Sequence, residues 1–455
     1  MDSQPEIFAQ HYAEAGLVGK SVVCWGEAGR RSAARSAMAE AAAQFQKALD
    51  QLALLPDSPL RQRQELELCS ALGAVLNAVK GNAAPETGQA YARALELWKQ
   101  LGSPSEFLHL PYGQSRYHVG RGELDLARRL DADLLRLSRQ RSDSGGLVLS
   151  HMSLGRNLTF AGRFVLSRSH LEEALALYDP NSHRSLVHHA GTHPHINSQA
   201  LLGHALFCLG FPDQALARSS AAIAEALRVG HPPSSAASLN LAAMLLALIG
   251  DNAVLGERAD QLVDVATEQG SGHWRETGTI FRGWVMVKNG DLTDGMSLLR
   301  RGLTAYRAVG GGEMWMPHFI ALLARGCEIA GQIEEAATQW DDALQVVERT
   351  GGCWLAAELN RHKGQLLLRH GHTEAAEELY CKALRIAREQ EAKMWELRAA
   401  SSLARHWHDH GHRAEARDLL APIYGWFTEG FDTPDLKDAK ALLDELGDGK
   451  RSLGH

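Results

Sequence analysis

Nine glycines recur along the chain at nearly constant spacing, and this spacing limits the possible folds more than any other feature. Each glycine follows an apolar, helix-like run, and together they are Gly81, Gly122, Gly162, Gly210, Gly250, Gly290, Gly331, Gly371 and Gly411. The successive intervals are 41, 40, 48, 40, 40, 41, 40 and 40 residues. Such a period is typical of a solenoid, in which each unit buries its apolar face against its neighbours.

The residues around each glycine predict a pair of antiparallel helices. In the clearest unit, Gly364 lies seven residues before Gly371, and Ala376, Tyr380 and Ala383 follow it. Small residues allow two helices to approach closely, while the aromatic residue fills the space between them. This is the spacing of a tetratricopeptide repeat. We therefore predict an all-α, tetratricopeptide-like α-solenoid: a right-handed superhelix of antiparallel helix pairs, with about ten units.

Departures from the period divide the chain into segments. The predicted segments are N-terminal helical hairpins (1–54), tetratricopeptide-like repeats (55–178), a histidine-rich hinge or long loop (179–196), further repeats (197–430), a C-terminal capping helix (431–447) and a tail (448–455). The hinge supplies the 48-residue interval, and proline and glycine interrupt helices there. Because the period is longer than the 34 residues of a tetratricopeptide repeat, we expect a more open superhelix.

Composition excludes several classes of partner. The 47 Lys and Arg residues against 54 Asp and Glu residues give a net charge of −7, which provides no general attraction to nucleic acid or anionic lipid. The six cysteines form no Cys-x-x-Cys pair, as expected of free thiols in a reducing compartment. No apolar stretch appears long enough to span a bilayer, so we predict a cytoplasmic protein without membrane partners.

Several stretches resemble one family of bacterial signalling proteins. They are WELRAASSLARHWHDHGHRAEARDLLAPIYGWFTEGFDTPDLKDAKALLDEL, AELNRHKGQLLL, ALYDPNSHRSLV, RQRQELELCSALGAVLNAVKGNAAPE and HYAEAGLVGKSVVCWGEAGRRSA, which span nearly the whole chain. The chain is similar to the C-terminal tetratricopeptide-repeat region of proteins that fuse a class III adenylate/guanylate cyclase to an AAA-type signal-transduction ATPase. This resemblance implies a regulatory region. The cyclase and ATPase domains themselves are absent here, so no residue inherits their catalytic roles.

Motifs for catalysis, cofactors and metals give no strong match. Gly19, Lys20 and Ser21 imitate the end of a phosphate loop, but Glu14 stands where its first glycine is required. No Gly-x-Ser-x-Gly, His-Glu-x-x-His or EF-hand pattern occurs. We therefore predict no catalytic residue and no cofactor.

Two groups of histidines could in principle bind metal. They are His183, His188, His189, His193, His195 and His204 near the hinge, and His406, His408, His410 and His412 near the C-terminus. A metal site needs three or four convergent ligands, and no carboxylate or thiolate is placed beside these histidines by the sequence. Solvated or helix-capping histidines are the favoured interpretation, and no metal site is predicted.

The first helix of each unit should face the concave side of the superhelix. The residues predicted to line this groove are Arg116, Arg156, His204, Met244, Trp284, Arg325, Glu358, Arg361, Gln365, Arg369 and Arg405. Arginine binds carboxylate or phosphate groups well, so the groove could hold an acidic peptide or a polyanion. The alternative is that these arginines pair with acidic residues of the same chain. For the tryptophans that repeat at Trp274, Trp315, Trp354 and Trp395, packing is favoured over ligand stacking.

Three functional hypotheses stay open at this stage. The first is a non-catalytic interaction module that binds a protein or peptide, with an ATPase or cyclase domain as one candidate partner. The second is a small-molecule sensor in which the segment 179–196 closes on an effector. The third is an orphan fragment of a cyclase–ATPase. Nucleic acid is not expected as a partner, and the sequence does not predict an oligomeric state.

Overall fold

A computed structural model describes residues 4–35 and 37–447, and within those ranges the secondary structure is helical, without strands. The predicted tail, residues 448–455, lies outside the described residues. The helices are α1 Pro5–Glu14, α2 Val18–Ala34, α3 Met38–Leu52, α4 Pro59–Lys80, α5 Pro85–Gln100, α6 Leu110–Gly120, α7 Leu124–Arg141, α8 Ser144–Phe160, α9 Phe164–Leu177, α10 Pro180–His183, α11 Leu186–Ala190, α12 Pro194–Leu209, α13 Pro212–Val229, α14 Pro232–Ile249, α15 Asn252–Glu268, α16 Gly272–Lys288, α17 Leu292–Ala308, α18 Met316–Ile329, α19 Ile333–Thr350, α20 Ala356–Arg369, α21 Thr373–Glu389, α22 Lys393–Asp409, α23 Arg413–Tyr424 and α24 Pro434–Gly447.

The helices form consecutive pairs, as the glycine period predicts. Within the described residues there are ten pairs, running from α2/α3 to α8/α9 and from α12/α13 to α22/α23. The nine turn glycines all have φ between 66° and 96°, the left-handed region in which a Cβ atom is unfavourable. The two helices of a pair also pack closely, since a Cβ added at Gly364 would lie 2.9 Å from the ring of Tyr380. The predicted solenoid of helix pairs is confirmed.

The superhelix is closed, so the expectation of a more open one is wrong. Four turn glycines lie close to the helix pair five units further along the chain. Each contacts the C-terminal end of that pair or the segment just after it, and an added Cβ would lie within 3.0 Å of a residue there. The contacts are Gly81 with Gly310, Gly122 with Thr350, Gly162 with Gln390, and Gly210 with Trp426. At the later turns, from Gly250 to Gly411, nothing lies within 4 Å of an added Cβ. Successive superhelical turns therefore touch, because glycine leaves room for the facing segment.

The C-terminal end is fastened to the middle of the chain. Glu429 accepts hydrogen bonds from the backbone N–H groups of Asp213 and Gln214, at 3.0 and 3.1 Å, and so caps the start of α13. In return, the Asp213 carboxylate accepts the N–H of Gly430 at 3.0 Å. Helix α24 covers the last pair, with Leu436 and Leu442 in the main core, in the position expected of a capping helix.

The segment 179–196 is more structured than the long loop that the sequence suggests. It contains the short helices α10 and α11, and Asp179 caps the first of them by accepting the N–H groups of Asn181 and Ser182. The His189 ring stacks on His109 with centroids 3.9 Å apart. This stack, together with the 2.8 Å contact between His183 Nε2 and Ser144 Oγ, ties the segment to the preceding pairs. Its role as a hinge stays a prediction.

One helix within the described residues is long and apolar enough to cross a membrane. This is α14, Pro232–Ile249, and 83% of its apolar window is buried inside the protein. It packs against α12, α13 and α15 as a core helix of the solenoid.

Candidate functional site

The predicted groove residues do not form one continuous surface. Arg116 and Arg156 line a first cavity, whereas the second cavity is lined by Trp284, Arg325, Arg361, Gln365 and Arg405. The remaining four line neither cavity: His204, Met244, Glu358 and Arg369. The closed superhelix causes this division, because its middle is filled by side chains.

His204 and Met244 show how the middle of the inner face is filled. Met244 is fully buried, and the His204 ring nitrogen Nε2 lies 2.8 Å from the Leu241 carbonyl oxygen. Burial lowers the pKa of His204 to about 4, which favours the neutral ring. The prediction that these two residues line an accessible groove is therefore wrong.

The first cavity has a volume of about 510 Å³ and lies between the early pairs and the middle of the chain. Its wall is made by the ends of α3 and α4, by α6, α8 and α14, and by the segments that precede α12 and α16. Apolar wall residues include Ala237, Trp274 and Trp315. Gly191 and Thr192 of the 179–196 segment also reach this cavity. Its volume falls in the range of about 300–1,000 Å³ found for small-ligand sites.

Two polar groups of the first cavity lack partners. The Asn240 side-chain oxygen Oδ1 and the His273 ring nitrogen Nδ1 are buried and have no hydrogen-bond partner among the described residues. Burial lowers the pKa of His273 to about 4, so its ring is neutral near pH 7. An unpartnered buried polar atom is costly, so a ligand whose own polar groups reached either atom would remove that cost.

The arginines of the first cavity are held mainly by neutral groups. Arg156 donates to Asn157 Oδ1 at 3.2 Å and to Ser153 Oγ at 2.8 Å, and Arg116 donates to the Ala190 carbonyl. Within the described chain, neither arginine has a carboxylate at ion-pair distance. The buried Asp131 carboxyl group has its pKa raised to about 6 by burial, against the opposing charge of Arg156. Pairing with acidic residues therefore does not account for these two arginines.

The second cavity, of about 430 Å³, is strongly cationic. Helices α14, α16, α18, α20, α22 and α24 surround it, together with the start of α15 at Asn252. Five cationic side chains line it: Lys288, Arg325, Arg361, Arg398 and Arg405. Two carboxylates on its α24 side, Asp435 and Asp438, provide only partial compensation.

One buried carboxylate organises part of this charge. Glu358 accepts two hydrogen bonds from Arg361, at 2.7 and 2.9 Å, and one from Arg398 at 2.9 Å. Arg398 also makes a bidentate pair with Asp435 at 2.7 Å and donates to the Leu248 carbonyl at 2.6 Å. Intramolecular pairing, the alternative left open by the sequence, is therefore correct for Arg361.

Sequence reasoning missed Arg398 and Lys288. A signal for both was present, because Arg398 lies seven residues before Arg405, and Lys288 four residues after Trp284, which places each pair on one helix face. By contrast, Arg369 is exposed and pairs with Glu328 at 2.7 Å, away from both cavities.

Several described histidines near the hinge and the C-terminus have local partners. His183 Nε2 lies 2.8 Å from Ser144 Oγ, and His195 Nδ1 lies 2.8 Å from a Glu225 carboxylate oxygen. His410 Nδ1 lies 2.8 Å from the His406 carbonyl oxygen. In the part of the chain that the structure describes, no group of three or more His, Cys, Asp or Glu side chains is arranged to hold a metal ion.

The tryptophans divide between packing and cavity lining. Trp354 and Trp395 are fully buried, and their indole N–H groups donate to the carbonyls of Met314 and Trp354 at 3.3 and 3.1 Å. The packing interpretation is confirmed for these two, whereas Trp274 and Trp315 line the first cavity. The phosphate-loop imitation lies inside α2, where Ser21 Oγ donates to the Ala9 carbonyl at 2.8 Å, so it forms no loop around a phosphate.

Comparison with known proteins supports the fold. A Rap protein solved in complex with competence and sporulation factor superposes with a TM-score of 0.57 at 12% identity, covering 82% of this chain and 99% of that one. The chain is a tetratricopeptide-like α-solenoid. Yeast Tom70 covers 98% of the chain and is itself covered to 96%, at 11% identity, but its TM-score of 0.38 is too low to support an argument.

Sequence comparison gives a longer relative of unstated activity. An uncharacterised protein of Rhizobium meliloti (strain 1021) is 26% identical over 398 residues, which cover 87% of this chain. The chain spans only 38% of the length of that relative. No family model matches the sequence.

Proposed function

We propose that the chain is a non-catalytic interaction module that binds a peptide or an extended segment of a protein partner inside its superhelix. The observation that carries this proposal is the first cavity, which combines apolar walls with unpartnered buried polar atoms. Helical-repeat proteins commonly bind extended partners on their inner surface. The Rap protein that shares the fold was solved with a bound factor, which is consistent with such a use of the fold.

The lining of the first cavity defines what a bound segment should contain. Trp274 and Trp315 offer flat apolar contacts for an aliphatic or aromatic side chain. Asn240 Oδ1 can accept a hydrogen bond, as can His273 Nδ1 in one tautomer, and backbone N–H groups of a peptide would supply the donors. Arg116 and Arg156 add two positive charges at the wall, and Glu40 adds one negative charge. We therefore expect an apolar segment with one acidic residue.

Blocking the first cavity should abolish peptide binding without unfolding the chain. Ala78 is exposed at the cavity wall, so the side chain introduced by Ala78→Trp would occupy the cavity without entering the core. The matched control is Ala224→Trp, at an exposed position of α13 that lines neither cavity. Peptides selected from a random display library on the wild-type chain should lose at least about tenfold in affinity for Ala78→Trp, a cost of about 1.4 kcal/mol. Fluorescence anisotropy measures the affinities.

Two results would contradict this use of the first cavity. One is a selection that enriches no peptide. The other is a set of peptides that bind Ala78→Trp as tightly as they bind Ala224→Trp.

A small-molecule sensor is the second candidate function, and one observation favours it. Gly191 and Thr192, from the predicted hinge, contribute to the wall of the first cavity, so an occupant could alter the packing of this segment. The cavity volume is also suited to a small ligand. A screen of metabolites for a rise in melting temperature, without peptide, separates this function from peptide binding, because only an effector raises that temperature in the wild-type chain. The screen is repeated on Ala78→Trp, in which the cavity is blocked.

We further propose that this module regulates a nucleotide-processing signalling protein. Two observations support the proposal: the resemblance to the region that follows cyclase and ATPase domains, and a relative of which most lies outside the match. Reading the coding DNA upstream of Met1 tests it. We expect a cyclase or ATPase reading frame directly upstream, either as a protein that the module regulates or as the missing part of the same protein. Unrelated genes at that position would argue for a free adaptor.

A further inference from the structure

The cations of the second cavity are not balanced by the carboxylates around them. Arg361 and Arg398 share Glu358, and Arg398 also pairs with Asp435. Among the described residues, no carboxylate lies within ion-pair distance of Lys288, Arg325 or Arg405. Side chains of three different pairs therefore bring unpaired positive charge to one cavity.

Arg325 shows the electrostatic consequence most clearly. Its guanidinium lies 4.7 Å from the centroid of the Trp284 ring. The pKa of Arg325 is lowered to about 10, first by burial and then by the neighbouring Arg361 and Arg398. Lys288 responds in the same direction, since burial and the charge of Arg325 lower its pKa. With a pKa of about 10, Arg325 is charged near pH 7, and the cavity therefore brings cationic side chains close together.

A second observation, independent of charge, also indicates a missing acceptor. Trp284 lines the cavity and is 1% exposed, yet its indole N–H has no hydrogen-bond partner among the described residues. The hydroxyl of Ser401, on another wall of the cavity, is likewise buried and unpartnered. An indole nitrogen can only donate, and the guanidinium and ammonium groups can only donate as well. The cavity therefore presents more donors than acceptors, although its wall also carries Asp435, Asp438 and the unpartnered side-chain oxygen of Asn252.

We propose that the second cavity binds a small oxyanion ligand, of the phosphate or phosphate-ester class, between Arg325, Lys288 and Arg405. A phosphate group supplies several acceptor oxygens and multiple negative charge, which match the unpaired donors. The volume of about 430 Å³ suits a small molecule. The two acidic side chains at the wall come from α24, whereas the unpaired cations come from α16, α18 and α22. This site does not depend on peptide binding in the first cavity.

An acidic segment of a protein partner would offer related chemistry, but the small oxyanion is favoured. The cavity is lined by groups from seven helices and one of them is the capping helix α24, so its shape suits a compact ligand better than an extended chain. The two sources of anionic oxygen can be separated by experiment.

The test measures thermal unfolding of the whole chain and binding by calorimetry. The probes are inorganic phosphate and pyrophosphate, compared with sodium chloride at the same ionic strength and with a peptide of six glutamates. Phosphate or pyrophosphate should raise the melting temperature by about 2–4 °C in a saturable manner, which chloride should not do. Stabilisation by the glutamate peptide alone would overturn the proposal, as would no saturable shift with any phosphate.

Variants of cavity residues test whether the phosphate-dependent stabilisation arises in the second cavity. Arg325→Met removes one unpaired charge, so we expect it to weaken pyrophosphate binding at least tenfold while the melting temperature in anion-free buffer stays the same or rises. A residue with a purely structural role would instead lower that temperature. Arg369→Met is the matched control, because Arg369 also lies on an inner helix but outside the cavity. Arg405→Gln, at an exposed position of the wall, provides a second variant that does not disturb buried residues. Equal binding by wild type, Arg325→Met and Arg405→Gln would refute the site.

Discussion

Replacing Glu358 with glutamine should lower the free energy of unfolding by about 3–5 kcal/mol, the cost of removing one partner from a buried ion pair. Glu358 is 4% exposed and is bound by both Arg361 and Arg398. These two cations lower the pKa of Glu358, although burial alone would raise it. The variant keeps the size of the side chain but leaves Arg361 without a carboxylate among the described residues and Arg398 with Asp435 alone.

Urea denaturation followed by circular dichroism measures this loss. The matched control is Glu172→Gln, because Glu172 pairs with Arg168 at 2.8 Å on the surface, where both side chains are more than a third exposed. An exposed pair contributes about 0–1 kcal/mol, so the control should unfold close to the wild type. Similar losses for the two variants would show that Glu358 does not hold the inner face together.

Acidification should unfold the protein between about pH 6.5 and pH 4. Five histidines are held neutral because burial lowers their pKa, to about 3 for His109 and His318 and to about 4 for His151, His204 and His273. An unfolded chain binds protons at these rings with a pKa of about 6.5. The stability that they provide is therefore complete above pH 6.5 and is lost as the pH falls towards the folded pKa values.

The expected loss is large compared with the stability of a typical domain. At pH 5, each of these histidines contributes a loss of about 2 kcal/mol, and the five together of roughly 10 kcal/mol. Asp131 acts in the opposite direction, because its raised pKa of about 6 makes the folded state bind a proton earlier than the unfolded chain does. One carboxyl group offsets only about 1 kcal/mol of the loss at that pH.

His318 allows this explanation to be tested at one position. Its ring packs against Phe281, Phe319 and Trp354, and its Nε2 has no hydrogen-bond partner among the described residues. His318→Phe should therefore reduce the slope of stability against pH by up to about 1.4 kcal/mol per pH unit and preserve the packing. His318→Gln should reduce the slope equally but lower stability at pH 7. Unchanged slopes in both variants would refute the role of this histidine.

The repeat unit could be predicted from the sequence because its signals are local. Gly364 and Tyr380 lie in one unit, and their contact recurs wherever the same spacing recurs. The inner face was only partly predictable. A rule based on the position after each small packing residue selected Arg325 and Arg405, which line the second cavity. The rule could not show that His204 and Met244 are covered, because the covering residues belong to other units.

The closure of the superhelix could not be predicted from the sequence, for a physical reason. The contacts that close it join residues whose types do not repeat from one contact to the next. Examples are Gly122 with Thr350 and Arg398 with the Leu248 carbonyl. Hydrophobic periodicity reports only on the neighbours of each helix. The sequence pattern around a turn glycine that permits a distant contact is therefore the same as the pattern around one without such a contact, such as Gly371.

This closure restricts how the protein can change during evolution. An ordinary solenoid tolerates duplication or deletion of a unit, because each unit touches only its neighbours. Here each of the four turn glycines Gly81, Gly122, Gly162 and Gly210 contacts a segment five units further along the chain. Loss of one helix pair between Gly122 and Thr350 would replace the contacting segment at every glycine whose contact spans the deletion. We therefore expect homologues that share the four closing glycines to keep the same number of units between them, and to vary in number only near the ends.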